Sequence, residues 1–153
     1  MTLGLFGKLP AHGDFISRGL TAPLRKALDH WVTHNIGQRV LPAGGLRARL
    51  TLGGARMLIV IVQSHDKPGR AFPIVTVAAD TGQESSHIDD WCDHVAGTLG
   101  EAVSDTVSAD ALMEQLQPAP HGTDGAPMQT DIMWQYGQKA QPLTAALAQL
   151  NSD

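Results

Sequence analysis

The sequence is poor in cysteine, in basic charge and in long apolar runs. Its one cysteine, Cys92, excludes an internal disulfide and a cysteine-based zinc cage. Eleven Lys and Arg against fifteen Asp and Glu give a net charge of −4, so the electrostatic signature of a nucleic-acid-binding protein is missing. The longest apolar run, MLIVIV at 57–62, is far shorter than the roughly 20 residues of a membrane-spanning helix. No signal peptide is apparent, and we expect a cytoplasmic protein with no nucleic-acid partner and no direct membrane insertion.

The residues that are present have the balance of an ordinary globular protein. Apolar residues make up 42% and charged residues 17% of the 153 positions, which excludes a disordered chain. A chain of this length buries a core without disulfide or metal staples. Lysine and arginine occur mainly before position 71, and carboxylates are denser after position 80. The uneven distribution still allows a local basic face on a protein whose net charge is negative. We expect a single domain over residues 1–153.

Apolar periodicity predicts nine elements in the order β-α-β-β-β-α-α-β-α. The predicted strands lie at 3–7, 48–52, 57–63, 73–79 and 132–136, and the predicted helices at 22–40, 86–103, 109–116 and 142–150. Thr21 is the expected cap of the first helix, with Pro23 in its first turn, and Ser86 with Asp89 is the expected capping box of the second. Strand 48–52 alternates apolar and polar residues and is expected to be half-exposed. This order predicts an α+β fold, a single domain with a central, largely antiparallel sheet packed by helices.

Two loops, KLPAHGDF at 8–15 and SHDKPGRAF at 64–72, share a composition of histidine near aspartate, glycine, proline, a base and phenylalanine. Each follows an apolar strand. If those strands are neighbours, the two loops lie together at one edge of the sheet. Such a juxtaposition would turn two ordinary loops into one candidate functional site.

The two loops offer two imidazoles and two carboxylates, from His12, Asp14, His65 and Asp66, and this set could bind zinc or a similar metal. The alternative is that Asp14 and Asp66 satisfy the backbone of their turns. No helical spacing fixes any pair of the four on one face, and Ser64 lies in no G-x-S-x-G elbow. We therefore assign no catalytic residue, metal or cofactor, and keep a metal-dependent hydrolase or phosphatase as the alternative function.

The two loops, together with the residues that directly follow the first, carry four bases that could bind a phosphate or the carboxylates of an acidic partner. These bases are Lys8, Arg18, Lys67 and Arg70. The alternative is that they form ion pairs with Asp14 and Asp66, which would tie the loops to each other and consume the charge of the site. Both interpretations stay open from the residues alone.

The first loop and its surroundings, GLFGKLPAHGDFISRGL, resemble the opening of the TagF family of type VI secretion-associated proteins, which reads G-x-x-G-K-L-P-x-x-G-D-F-x-x-R. The matching positions are Gly4, Gly7, Lys8, Leu9, Pro10, Gly13, Asp14, Phe15 and Arg18. The second loop resembles that family's S-x-D-x-x-G-R-x-F-P element through Ser64, Asp66, Gly69, Arg70, Phe72 and Pro73. Trp31 falls where the family tends to have tryptophan, and Trp134 with Gly137 is similar to a late tryptophan-glycine element.

The resemblance implies a small cytoplasmic accessory protein of the bacterial type VI secretion system, an α/β protein without known catalytic activity. Members of the family act as post-translational repressors, some contact a forkhead-associated scaffold protein, and some are fused to a serine/threonine phosphatase domain. We accordingly expect partner binding or loop formation from Lys8, Asp14, Arg18, Asp66, Lys67 and Arg70. The residues expected to shape the loops are Gly7, Pro10, Gly13, Phe15, Gly69, Phe72 and Pro73.

Overall fold

A seven-stranded antiparallel sheet is the centre of the structure, a computed structural model that describes residues 3–37, 39–83, 85–120 and 131–150. The strands are β1 (Gly4–Gly7), β2 (Ile16–Arg18), β3 (Leu46–Leu52), β4 (Ala55–Val62), β5 (Ile74–Ala79), β6 (Ile132–Gln135) and β7 (Gln141–Pro142). They lie in the order β2-β1-β5-β4-β3-β6-β7. The predicted fold class is confirmed, and two short edge strands, β2 and β7, are additions that the apolar pattern does not mark.

Helices cover both faces of this sheet. They are α1 (Ala22–Asn35), α2 (Ser85–Ser104), α3 (Ala109–Gln115) and α4 (Leu143–Ala148). One apolar cluster joins α1 and α4 to the sheet, and a second joins α2 and α3 to its opposite face. Over the described ranges, every helix is too short or too polar to cross a bilayer.

The first helix begins where the sequence predicts and ends earlier. The Thr21 hydroxyl accepts a hydrogen bond from the Leu24 amide, and a proline occupies the first turn, as expected of an N-terminus. The helix ends at Asn35, and Gly37 then takes a φ of 57°, a left-handed conformation that terminates helices. The apolar positions at 36 and 40 that suggested a longer helix therefore belong to the loop that follows.

The remaining elements match their predictions to different degrees. Helix α2 begins at Ser85, so Ser86 lies inside it and the predicted capping box is wrong. Helix α3 and strand β6 lie within one residue of their predicted bounds, while α4 is shorter than predicted. The segment PAPHGTDGAP at 118–127, whose three prolines and two glycines predict a surface loop or a mobile segment, falls largely outside the described residues.

Strand β3 is buried on both faces, so the expectation of a half-exposed strand is wrong. Leu46, Ala48 and Leu50 face the α1 side of the sheet. Arg47 and Arg49 point to the opposite face, yet they are only 2% and 3% exposed. Helix α2 covers that face, and each guanidinium is paired with a carboxylate, which lets charged side chains occupy a buried strand.

Gly7 makes the junction between β1 and β5 possible. It pairs with Ile74 at a φ of 134°, a backbone conformation that side chains rarely adopt. A Cβ atom at this position would collide with the carbonyl oxygen of Pro73. The close approach brings the loop that follows β1 against the loop that precedes β5.

We predict that Gly7→Ala lowers the free energy of unfolding by about 2 kcal/mol or more, because it combines backbone strain with a backbone collision. Urea unfolding followed by circular dichroism measures this loss. Gly13→Ala is the matched control, because a Cβ atom there meets nothing within 4 Å. It should change the free energy of unfolding by less than about 1 kcal/mol. Equal losses in the two variants would contradict the role given to Gly7.

Candidate functional site

The two motif loops lie side by side, and we call them the paired loops: residues 8–15 after β1 and 63–73 between β4 and β5. The strands that carry them are neighbours, because β5 pairs with both β1 and β4. Four hydrogen bonds cross between the loops: Lys67 N to His12 O at 2.8 Å, Lys8 N to Pro73 O at 3.3 Å, Ser64 Oγ to Lys8 O at 2.7 Å, and Arg70 Nη2 to Gly13 O at 3.0 Å. The loops form one unit from two distant segments.

A buried carboxylate, Asp66, is the centre of this unit. Its Oδ1 accepts the backbone amides of Gly69 at 3.0 Å and Arg70 at 2.7 Å, as a turn-opening aspartate does. Its Oδ2 meets Lys8 Nζ at 3.0 Å and Arg70 Nε at 2.7 Å. Burial alone would raise the pKa of Asp66, but these donors hold that pKa at about 2. Asp66 is therefore an anion that binds both loops together.

Three phenylalanines pack beside the ion pairs. Phe15 stacks on Phe6 with ring centroids 5.8 Å apart, and Phe72 meets Phe15 edge-on at 4.8 Å. The Lys8 ammonium lies 4.8 Å from the centroid of the Phe15 ring, in cation–π contact. Phe6 is buried, whereas Phe15 is 47% exposed, so the cluster runs from the core to the surface.

Of the predicted bases, two are committed to the centre of the paired loops and two are not. Lys8 is buried against Asp66. Arg70 also binds Asp66, while 63% of its side chain stays exposed. Arg18, on β2, pairs with Asp110 of α3 at 2.7 Å, a partner 92 residues away that the sequence did not suggest. The Lys67 side chain is exposed at the tip of the second loop.

The residues expected to shape the loops take varied positions. Gly69 adopts a φ of 100° in the turn opened by Asp66. Pro73 is buried, and its carbonyl accepts the Lys8 amide at 3.3 Å, whereas Pro10 is half-buried. Gly13 is exposed, and only its carbonyl makes a contact described above. The backbone of these residues, more than their side chains, forms the junction.

The set proposed for metal is spread over separate interactions. His12 Nε2 accepts the Ala109 amide at 3.0 Å, at the start of α3, and both oxygens of Asp66 are taken by donors. Asp14 is exposed and accepts the Phe15 amide at 2.7 Å, and His65 is exposed beside its bridge to Ala71. Within the described part of the chain, no three His, Cys, Asp or Glu side chains form a group that could hold a metal ion.

The structure contains a second buried network of charged side chains, which the sequence did not predict. The Asp80 side chain is fully buried and lies 3.3 Å from Arg49 and 3.6 Å from Arg56. Arg47 pairs with Asp93 of α2 at 2.7 Å. The sequence signal for this network is the pair of arginines at alternate positions of one strand, because such residues lie on the same face of the sheet. Nothing in the sequence identifies the carboxylates with which they pair.

Cys92 lies on the buried face of α2, as its helical spacing predicts. Burial raises the pKa of its thiol to about 12, against the weaker opposite influence of Arg47. A thiol that stays protonated at neutral pH is a poor nucleophile and a poor metal ligand. Cys92 is therefore a packing residue.

Residues 4–44 match the TagF N-terminal domain, type VI secretion system-associated. The matched segment runs from β1 to the loop after α1 and includes the first of the paired loops. It confirms the resemblance to the TagF family that the motifs indicated.

The crystal structure of PA0076 from Pseudomonas aeruginosa PAO1 has a similar fold, with a TM-score of 0.61 at 21% sequence identity. The alignment covers 95% of this chain and 75% of PA0076. At this identity the likeness establishes the fold alone. No curated protein sequence matches the chain.

We predict that Asp66→Asn destabilises the protein at neutral pH, because the amide leaves the buried Lys8 ammonium without its counter-charge. The folded pKa of Asp66, about 2, lies below the usual carboxyl value of about 4, so the ionised form stabilises the fold. That stabilisation is complete above about pH 4 and is lost as the pH falls toward 2. Urea unfolding of both proteins at a series of pH values should show their difference shrinking across this interval.

Asp14→Asn is the matched control, since this exposed carboxylate contacts the neighbouring amide of Phe15. It should leave the unfolding free energy at neutral pH near that of the original protein. A pH-independent difference between Asp66→Asn and the original protein would show that Asp66 does not titrate as its contacts require.

Proposed function

We propose that this protein is a non-enzymatic accessory protein of the type VI secretion system, a post-translational repressor that acts in the cytoplasm by binding a protein component of the machinery. A forkhead-associated scaffold protein is the first candidate partner. We also propose that residues 1–153 form a single TagF-like domain. The family match over residues 4–44 supports the association with secretion, and the arrangement of the paired loops supports binding rather than catalysis.

The proposal rests on the difference between buried and exposed side chains within the paired loops. Lys8 and Asp66 are buried and hold the loops, while Phe15, Lys67 and Arg70 expose their side chains at the surface. An exposed aromatic ring and two exposed cations on the same pair of loops have the composition of a protein-binding surface. In such a surface the aromatic ring supplies the apolar anchor, and the charges orient the partner. The cations favour an acidic partner.

Catalysis by the same loops has less support. A hydrolase or phosphatase built on His12, Asp14, His65 and Asp66 needs lone pairs that can reach a metal or a substrate. The Nε2 atom of His12 accepts a backbone amide, and Asp66 is neutralised by two cations. The predicted bases also differ in their roles. Arg18 is paired with Asp110, so Lys67 and Arg70 contribute most of the positive charge of the proposed binding surface.

We predict that Lys67→Glu reduces partner capture by about tenfold or more while the melting temperature stays within about 2 °C. The exposed side chain makes the reversal harmless to the fold, but it opposes the charge of an acidic partner. Tagged protein expressed in its native cell, captured and analysed by mass spectrometry, measures the co-purified secretion components. Lys26→Glu on α1, another exposed lysine, is the matched control and should retain capture.

Arg70→Glu is unsuitable as the primary test, because it would place a second carboxylate against Asp66 and weaken the loops themselves. Full capture by Lys67→Glu, together with full capture by Phe15→Ser, would contradict binding through the paired loops. Absence of every secretion component from the capture by the original protein would contradict the proposed function as a whole.

A further inference from the structure

Two histidines lie side by side on the exposed face of α1. His30 and His34 are four residues apart, so their side chains project from the same side of the helix, one turn from each other. Both residues are exposed, and their ring centroids lie 4.0 Å apart with the ring planes tilted by 33°. Leu28 and Val32 form the buried face of α1, so the two imidazoles are not part of the core.

The helix backbone orients one ring of this pair. His34 Nδ1 lies 2.8 Å from the carbonyl oxygen of His30. A carbonyl oxygen only accepts hydrogen bonds, so Nδ1 is the donor and carries the proton of the neutral imidazole. The lone pair of that ring is therefore at Nε2, on an exposed side chain. Histidines that bind metals are commonly held in this way, with one ring nitrogen bonded to a carbonyl oxygen and the other to the metal.

The distance between the two rings suits a shared metal ion. Zinc binds an imidazole nitrogen at about 2.0–2.1 Å, so two nitrogens on one ion lie at most about 4 Å apart. The rings of His30 and His34 are already at a comparable separation. Since His30 is exposed, its ring can rotate toward the ion without disturbing the packing of the core.

The neighbouring side chains leave the two imidazoles as the ligand set. Asp29 accepts the Thr33 hydroxyl at 3.1 Å, and it projects from the helix about 100° away from His30. Lys26, an exposed residue one turn before His30, has a flexible ammonium group that can point into solvent. Two imidazole ligands favour copper, nickel or zinc over magnesium and calcium, which prefer oxygen ligands.

We propose that His30 and His34 form a surface site for one divalent transition-metal ion. Nε2 of His34 and a ring nitrogen of His30 bind the ion, and water fills the remaining positions. Such a site is smaller than the three-ligand groups that the described residues lack. The bound ion links the last two turns of α1, so it stabilises the folded chain. Cu²⁺ binds more tightly than Ni²⁺ or Zn²⁺.

The test is calorimetric titration of the tag-free full chain with Cu²⁺, Ni²⁺, Zn²⁺ and, as a control ion, Mg²⁺. The three transition metals should bind in a saturable manner, and Mg²⁺ should not. His30→Ala and His34→Ala should each weaken Ni²⁺ and Zn²⁺ binding about tenfold or more, because the second imidazole then no longer acts at high effective concentration. Alanine favours the helix, so both variants should fold, which circular dichroism checks.

His87→Ala is the matched control, since His87 is also an exposed histidine on a helix. It should retain the metal affinity of the original protein. The chain has seven histidines, so a second measurement locates the ion: nitrogen-15 NMR of the imidazole rings during a Zn²⁺ titration. The Nε2 signal of His34, assigned by its loss in His34→Ala, should show an unprotonated nitrogen that shifts with zinc.

Four outcomes overturn the proposal. They are no saturable binding of any of the three transition metals, unchanged affinity in His30→Ala or His34→Ala, an equal loss in His87→Ala, and a His34 signal that zinc does not shift. The titrations use metal ions alone and residues outside the paired loops. The metal site and the secretion partner therefore fail or succeed independently.

Discussion

The ionised side chain of Asp66 is the interaction on which the paired loops depend. It is fully buried, and such a carboxylate is stable inside a protein only when donors surround it. Lys8 from one loop and Arg70 from the other supply the charges, and two backbone amides complete the shell. Since the partners come from both loops, Asp66 can remain charged only while the loops are together. The need of the Asp66 carboxylate for positive partners therefore holds the two loops together in the tertiary structure.

That constraint reaches beyond the loops. With residues 8–15 held in place, His12 meets the first amide of α3, and Arg18 on the following strand meets Asp110 of the same helix. Phe15 is carried to the surface on a stack that begins with the buried Phe6. The exposed aromatic and basic side chains therefore rest on buried residues that bond to each other, and such support would lower the entropy lost in the partner binding proposed above.

A different solution to buried charge appears on β3. Arg47 and Arg49 lie under α2 and are paired with Asp93 and Asp80, but the two networks are not equally complete. Nη1 of Arg49 contacts both oxygens of Asp80, and its Nη2 donates to the carbonyl of Gln83. Arg47 donates to one oxygen of Asp93 and to the carbonyl of Gly44, and its buried Nε atom has no partner among the described residues. In the paired loops, Lys8 and Asp66 are used to build structure, while the Lys67 side chain is exposed and Arg70 is only partly buried by its pairing with Asp66.

The sequence alone determined the local features: the buried strands, the start of α1 at Thr21, the turn opened by Asp66, and the order of elements that implied an antiparallel sheet. These follow from side-chain periodicity and from contacts within four residues. Tertiary structure alone decided that Arg18 pairs with Asp110, that Arg49 is buried, and that Gly7 must meet the Pro73 carbonyl. Such outcomes depend on which distant elements come together, and a charge or a glycine in a linear chain does not specify its partner.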